Sequence, residues 1–179
     1  MDTEIEHLAR FMREHELTLA TAESCTAGLI AATLADVPGA GSLLDCAFVT
    51  YTVQAKQREL GVSATTLQRH NLTSEAVARA MALGAARRSS ARIVISNTGV
   101  TDDTDPDIAP GTQCYAWVIK AGAADATPAV YTETRVFSGS RNAIRRASAT
   151  YALLQIPRHV EDFLNGGTNA RAASSAGRA

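Results

Sequence analysis

LTLATAESCTAGLIAA, residues 17–32, changes from one type of secondary structure to another within a few positions. An apolar, β-prone run over residues 17–22 turns polar at residues 23–26 (ESCT), and a small-residue helical pattern follows over residues 27–34. Such a turn can lift a hydroxyl out of a sheet, and free N–H groups at the helix start can hold an oxyanion. Ser24 is therefore a candidate nucleophile. The alternative is that Ser24 or Thr26 is an N-cap, which the frequency of capping residues favours.

The composition is that of an ordinary globular protein. A chain of 179 residues with 46% hydrophobic residues is long enough for one domain with a sizeable core. The net charge of -1 argues against a general nucleic-acid or membrane-surface binder. No apolar run approaches the ~20 residues that a membrane span needs, and the start MDTEIEHLAR does not resemble a signal peptide. We therefore expect a cytoplasmic protein.

The cysteines and histidines do not form a recognisable ligand pattern. The three cysteines show no CxxC spacing, which is typical of reduced thiols, and the four histidines match no HExxH arrangement. We expect no metal and no organic cofactor.

Apolar periodicity predicts helices interleaved with strands, followed by a late strand pair. The predicted helices cover residues 2–15, 26–36, 53–60, 66–70, 74–88 and 140–154, and the predicted strands cover residues 17–22, 43–51, 92–98, 113–120 and 130–137. The second strand is apolar enough to be largely buried. This order predicts an α/β fold: a single-domain layered sandwich with a mixed central β-sheet flanked by helices. The domain should cover residues 1–164, with a flexible tail over 165–179.

Polar residues follow three of the predicted strands, at residues 23–26, at Tyr51 and at residues 98–99. Ligand sites in open α/β sheets gather outside the carboxyl ends of strands. A serine nucleophile needs a base, and Lys can serve if desolvation lowers its pKa, whereas Arg does not release its proton. The chain has two lysines, and Lys56 lies about one and a half helical turns past Tyr51. Ser24 and Lys56 are thus the economical pair; the alternative for Lys56 is a solvated surface amine.

Four segments of the chain read ATAESCTAGLIAATLADVPGAGS, VTYTVQAKQRELGV, SEAVARAMALGA and FSGSRNAIRRASATYAL. In this order, over about residues 8–154, they resemble the CinA C-terminal domain family, which is the nicotinamide-nucleotide amidase family. The resemblance implies hydrolysis of the amide of nicotinamide mononucleotide to nicotinate mononucleotide and ammonia. It also implies a small-molecule nucleotide or amide as partner, neither nucleic acid nor membrane, and a homo-oligomer, expected to be a dimer.

The resemblance also implies roles for individual residues. Ser24 matches the nucleophile, Lys56 the general base and Tyr51 a tyrosine that relays or orients beside them. The other positions are expected to bind substrate. The backbone N–H groups of Cys25 and Thr26 would face the oxyanion, and Thr98 and Gly99 would contact the substrate from a strand end. Arg141 would bind the phosphate, with Arg145 as a weaker second candidate.

One segment departs from the family pattern. The glycine-rich TGIAGPGGGT of the family is TGVTDDTDPDIAPGT here, and Ala27 and Ser140 replace a glycine and an aspartate. Glycines allow close approach of backbone to ligand, whereas carboxylates repel a phosphate. The four acidic residues concerned are Asp102, Asp103, Asp105 and Asp107. Two alternatives therefore stand beside the family activity: a catalytically altered binding protein, and an amidase for a different small amide.

Overall fold

The computed structural model describes residues 3–121 and 127–175, with side chains as far as residue 166. The helices are α1 (Thr3–Glu14), α2 (Leu29–Ala35), α3 (Val53–Leu60), α4 (Ala64–Arg69), α5 (Glu75–Ala86), α6 (Arg141–Leu154) and α7 (Ile156–Ser175). The strands are β1 (Leu19–Glu23), β2 (Leu44–Val49), β3 (Ile93–Gly99), β4 (Thr112–Ile119) and β5 (Ala129–Val136). A 3₁₀ turn over Ala40–Ser42 precedes β2.

The five strands form one mixed sheet in the order β2-β1-β3-β4-β5. β1 is parallel to both of its neighbours, β2 and β3, whereas β4 is antiparallel to β3 and β5. The crossovers that parallel neighbours require are supplied by the helices between them. The mixed sheet predicted from the sequence is confirmed.

Alternating strand residues divide the core into two layers, one on each face of the sheet. Along β3, Ile93 and Ile95 face a cluster that includes Leu8 of α1 and Leu34 of α2, together with α6 and α7. Val94 faces the other way, into a cluster formed with α3 and α5. Helices thus cover both faces, and the predicted α/β sandwich is confirmed.

Two sequence-based predictions differ from the structure. The second strand is not largely buried: half-buried and exposed residues alternate along β2, because β2 is an edge strand with one hydrogen-bonded neighbour. The last predicted helix is followed by a further one, α7, which runs to Ser175 through part of the segment predicted as a tail. The division at residue 165 stays a prediction, and residues 176–179 lie outside the described part.

Parallel pairing brings the carboxyl ends of β1, β2 and β3 to one edge of the sheet, where the predicted site residues Ser24, Tyr51 and Gly99 lie. The backbone N–H of Thr50 donates to the carbonyl of Glu23 (2.8 Å), which ties the end of β2 to that of β1. None of the helices over the described ranges is long and apolar enough to cross a bilayer.

Candidate active site

The turn after β1 is held by a buried carboxylate. Glu23 Oε2 accepts hydrogen bonds from the N–H groups of Gly28 (2.8 Å) and Ile30 (3.1 Å), and Oε1 accepts one from Ala31 (3.1 Å). Gly28, with φ of 93°, is the N-cap of α2, and Ala27 is also left-handed with φ of 51°. The capping interpretation of Ser24 and Thr26 is therefore wrong, because Glu23 satisfies the first N–H groups of this helix instead.

Asn97, in β3, fixes the other side of the turn. Its carbonyl accepts from the N–H of Ser24 (2.9 Å), and its side-chain oxygen accepts from the N–H of Thr26 (3.1 Å). The N–H of Thr26 is therefore engaged, contrary to its predicted role as an oxyanion donor. The N–H of Cys25 has no acceptor among the described residues, so it keeps that predicted capacity.

Lys56 lies in the first half of α3, whose N-cap Thr52 accepts a hydrogen bond from the N–H of Ala55. The side chain is 1% exposed, so Lys56 is not a solvated surface amine. Its Nζ lies 2.9 Å from Ser24 Oγ and 2.7 Å from the carbonyl oxygen of Thr50, with a longer contact of 3.5 Å to the carbonyl of Tyr51. Burial lowers the pKa of Lys56 to about 8, since it disfavours the charged ammonium.

The neighbours of Lys56 Nζ are compatible with a neutral amine. A carbonyl oxygen can only accept a hydrogen bond, so the carbonyls of Thr50 and Tyr51 can take the two N–H bonds of such an amine. The hydroxyl of Ser24 can either donate or accept. This arrangement suits a general base acting on a serine nucleophile.

Tyr51 lies farther from this pair than the sequence suggested. Its side chain is 55% exposed, and its hydroxyl accepts a hydrogen bond from Arg141 Nη2 (3.0 Å) rather than contacting Ser24 or Lys56. The carbonyl of Tyr51, not its phenol, reaches Lys56. Tyr51 thus links the carboxyl end of β2 to the start of α6.

Arg141 is paired with the acidic loop. Its Nη1 donates to Thr101 Oγ1 (2.8 Å) and to Asp102 Oδ2 (3.1 Å). Arg141, Tyr51, Thr101 and Asp102 line a cavity of about 210 Å³, together with Cys25 and residues 99, 100 and 104. Hydrogen bonding from Thr104, with the nearby Arg141 guanidinium, holds the pKa of Asp102 below its usual range.

The other three acidic residues do not line this cavity. Asp105 Oδ2 accepts from Asn71 Nδ2 (2.8 Å), and Asp103 and Asp107 are exposed. The expected group of four carboxylates beside the site is therefore reduced to Asp102.

The two predicted residues at the end of β3 have different positions. Thr98 is buried, and its hydroxyl donates to the carbonyl of Leu72 (2.8 Å), so it anchors the segment before α5 rather than facing the cavity. Gly99 does line the cavity. A Cβ at Gly99 would lie 2.5 Å from the end of the Gln113 side chain, so a larger residue at this position would displace the buried Gln113 amide.

Sequence reasoning missed a buried polar network behind the turn. Asn97 Nδ2 donates to Gln113 Oε1 (3.0 Å), Ser148 Oγ donates to the same oxygen (3.3 Å), and the hydroxyls of Ser148 and Tyr115 lie 2.6 Å apart. Gln113 Nε2 donates to Cys25 Sγ (3.4 Å). The signal available was weak: polar Asn97 and Gln113 inside strands that otherwise read as apolar.

Arg145 also supports the turn rather than the cavity. Its Nε donates to the carbonyl of Cys25 (2.9 Å), and its Nη2 donates to that of Thr26 (3.1 Å). The predicted role as a second phosphate ligand is replaced by these two backbone contacts. Over the described ranges, no group of three His, Cys, Asp or Glu side chains could hold a metal ion.

Comparisons with known proteins identify relatives over most of the chain. A family model described as the CinA C-terminal domain matches residues 2–160. The "Nicotinamide-nucleotide amidohydrolase PncC" of Escherichia coli K12 is 33% identical over 150 residues, which cover 83% of this chain and 87% of that protein. A "Putative competence-damage inducible protein" of Symbiobacterium thermophilum is 36% identical over 162 residues, or 88% of this chain but 38% of that protein.

Solved structures agree with these matches. A CinA superfamily protein from Escherichia coli has a TM-score of 0.76 and 34% identity, with 87% of this chain and 91% of that chain covered. The competence damage-inducible protein A from Klebsiella pneumoniae has a TM-score of 0.81 and 28% identity, with 89% and 96% covered.

Proposed function

The chain belongs to the CinA C-terminal domain family, and from that membership and the site geometry we propose that it hydrolyses a carboxamide, that of nicotinamide mononucleotide. The products would be nicotinate mononucleotide and ammonia. The Escherichia coli relative named for a nicotinamide-nucleotide amidohydrolase is matched over 87% of its length. Several other relatives are matched over about a third of theirs, so their names carry less weight for this chain.

In the first step, Ser24 Oγ attacks the carboxamide carbon and its proton passes to the neutral amine of Lys56. The negative charge that develops on the carbonyl oxygen is stabilised by the N–H of Cys25, which has no other acceptor among the described residues. The C–N bond then breaks, and Lys56 returns the proton to the leaving nitrogen, which departs as ammonia.

In the second step, water hydrolyses the resulting ester of Ser24. Lys56 takes a proton from the attacking water and returns it to Ser24 Oγ as the carboxylic acid leaves, and the acid then releases its own proton to solvent. Each step uses one base that alternates between two protonation states. With a pKa of about 8, about one Lys56 in ten would be neutral at pH 7, which is enough for a general base.

The observation that carries the proposal is the 2.9 Å contact between Ser24 Oγ and a buried Lys56 whose other close neighbours are carbonyl oxygens. The test is an assay of nicotinamide mononucleotide with the products separated. We expect nicotinate mononucleotide and ammonia in equal amounts. Release of free nicotinamide instead would mean cleavage of the glycosidic bond and would contradict the proposal.

A second candidate function is supported by the pairing of Arg141 with Asp102. If Arg141 binds the substrate phosphate, that phosphate must compete with the carboxylate of Asp102, which already pairs with Arg141. An amide substrate without a phosphate would not face this competition. A higher kcat/KM for nicotinamide riboside than for nicotinamide mononucleotide would favour this candidate.

A binding protein without activity is the third possibility, and it would bind the nucleotide without releasing ammonia. The intact Ser24–Lys56 contact argues against it. The cytoplasmic location and the homodimer remain predictions from the sequence. Sedimentation of the purified chain at several concentrations would measure the oligomeric state.

A further inference from the structure

A second cavity lies between α5 and the segment that joins α3 to α4, and it shares no lining residue with the cavity beside Cys25. Its volume is about 350 Å³, against about 210 Å³ for the cavity beside Cys25. Val62, Ala80 and Leu83 give it an apolar floor, whereas Arg79, Arg87 and His70 stand at its edge. We propose that this groove binds a small anion with an apolar ring, of the nucleotide monophosphate class.

The charge of the groove is the first argument. No Asp or Glu is among the residues that line it. Arg79, Leu83 and Arg87 follow one another at four-residue spacing, so they share one face of the α5 region. Neither Arg79 nor Arg87 forms a side-chain ion pair within the described residues, although the whole chain carries a net charge of -1. Positive charge is therefore concentrated here without an internal partner.

The second argument is the approach of two guanidinium groups to one point. A Cβ built on Gly61 would lie 3.7 Å from Arg88 Nη2 and 3.9 Å from Arg87 Nη2. Arg88 Nη1 donates to the carbonyl of Gly84 (3.3 Å), which accounts for its position near the end of α5. Arg87 has no such bond in the described part. Arg87, unlike Arg88, lines the groove, so its guanidinium is left to donate charge-assisted hydrogen bonds to an anion there.

Two hydroxyl groups supply the uncharged donor that a phosphate or carboxylate also needs. Ser63 Oγ and Thr66 Oγ1 lie 2.8 Å apart, and both residues line the groove. Their mutual hydrogen bond uses one of the two hydroxyl protons, so the other is free to donate to a ligand. The apolar floor then takes the ring, as is usual in small-molecule sites of this size.

The groove adjoins the helix that carries the proposed base. The N–H of Val62 donates to the carbonyl of Lys56 (3.2 Å), and that of Gly61 donates to the carbonyl of Gln57 (2.9 Å). A ligand held against Gly61 and Val62 would thus contact the carboxyl end of α3. The proposal itself concerns binding only, and it does not depend on the activity proposed above.

Binding can be tested by following backbone amide resonances of the full chain while adenosine monophosphate is added at low salt, with adenosine as the uncharged probe. We expect the Gly61 and Val62 resonances to shift with the monophosphate and not with adenosine. In the Arg79→Gln/Arg87→Gln variant the affinity measured from these shifts should fall about tenfold or more, since two charge-assisted contacts are lost.

The matched control is Arg10→Gln/Arg92→Gln, which removes the same charge from exposed positions outside the groove and should bind as the wild type does. Binding at Arg141 would move resonances of residues 101 and 102 instead. Absence of shifts at Gly61 and Val62, equal shifts with adenosine, or unchanged affinity in the Arg79→Gln/Arg87→Gln variant would overturn the proposal. So would a dimer whose interface covers these two residues.

Discussion

The Ser24–Lys56 pair and the Arg141–Asp102 pair are both polar contacts near the carboxyl edge of the sheet, but their surroundings differ. Lys56 is 1% exposed, whereas the side chains of Arg141 and Asp102 are 53% and 44% exposed. The buried pair is fixed by the ends of β1 and β2 and by α3. The exposed pair depends on the loop over residues 100–111. The fold therefore positions the proposed chemistry, whereas a loop sets the charge that a substrate meets.

The largest effect should come from removing the hydroxyl of the buried pair. Ser24→Ala should lower kcat by at least about 10⁴-fold, as loss of a serine nucleophile does elsewhere, with thermal unfolding little changed. Ammonia release and a melting curve measure both. Cys25→Ala is the control: burial raises the pKa of the Cys25 thiol, so it is a poor nucleophile and its loss should leave much of the activity. The reverse pattern would assign the nucleophile to Cys25.

Removing the carboxylate of Glu23, which holds the turn that carries Ser24, should give the next largest effect. Glu23→Gln replaces a carboxylate that accepts three backbone hydrogen bonds, and an amide cannot accept all three in the same way. We expect the free energy of unfolding to fall by about 1–3 kcal/mol. Glu14→Gln, at an exposed position on α1, should change it little. Equal denaturation curves for the two variants would show that Glu23 does not stabilise the turn.

The exposed pair should give a smaller effect that depends on salt. Asp102→Asn frees Arg141 and removes a like charge from the cavity, so KM for nicotinamide mononucleotide should fall a few-fold at low salt and less at high salt. Asp103→Asn removes the same charge at an exposed position that does not line the cavity. Its KM should stay close to the wild-type value. Equal changes in both variants would point to a general charge effect instead.

A titratable group outside both pairs should give the smallest effect. His159 is buried between the rings of Trp117 and Tyr131, and its nitrogens have no hydrogen-bond partner in the described part. Burial, with the nearby Arg158, lowers the pKa of His159. The unfolded chain then binds the extra proton more readily, so stability is lost as pH falls below about 6.5 and is unaffected above it.

Substitution separates this effect from other titrations. In His159→Phe the part of the acid-induced loss due to His159 should disappear, whereas in His7→Phe, at an exposed position, it should remain. The measurement is the melting temperature between pH 5 and pH 8. Parallel pH dependences for the wild type and His159→Phe would show that His159 does not titrate on unfolding in this range.

Much of the buried region was predictable because its signals are local. Residues 17–22 have the apolar, β-prone pattern of a strand, and the next four residues are polar. Lys56 comes five residues after Tyr51, at the end of the next predicted strand, about one and a half helical turns further on. Two contacts with backbone carbonyls could not be foreseen, because a sequence does not indicate which main-chain atoms a lysine will meet. The sequence pattern places Glu23 in the polar turn, but its capping role depends on the left-handed conformations of Ala27 and Gly28, which the pattern does not indicate.

The residues behind the turn and in the loop were less predictable. Asn97 lies in the apolar run RIVISNT, and its importance depends on the pairing of β3 with β1, which is a tertiary feature. The loop over residues 100–111 has no periodicity, so its four carboxylates can be counted from the sequence but their directions cannot be predicted. One of them, Asp102, contacts Arg141, and the others do not line the cavity.

The pH dependence of kcat/KM distinguishes a Lys56 that acts as a neutral base from one that stays charged. With a second pKa of about 6, a substrate phosphate is mostly a dianion at pH 7 and changes little up to pH 10, so the main change in the profile reports on the protein. Because burial lowers the pKa of Lys56 to about 8, kcat/KM should rise with pH up to about 8 and level off above it. Lys56→Arg, which keeps the charge but cannot accept a proton, should lose this rise together with most of the activity. A profile that is flat or falling from pH 7 to pH 9, or an arginine variant with near wild-type rates, would show that Lys56 does not act as the base.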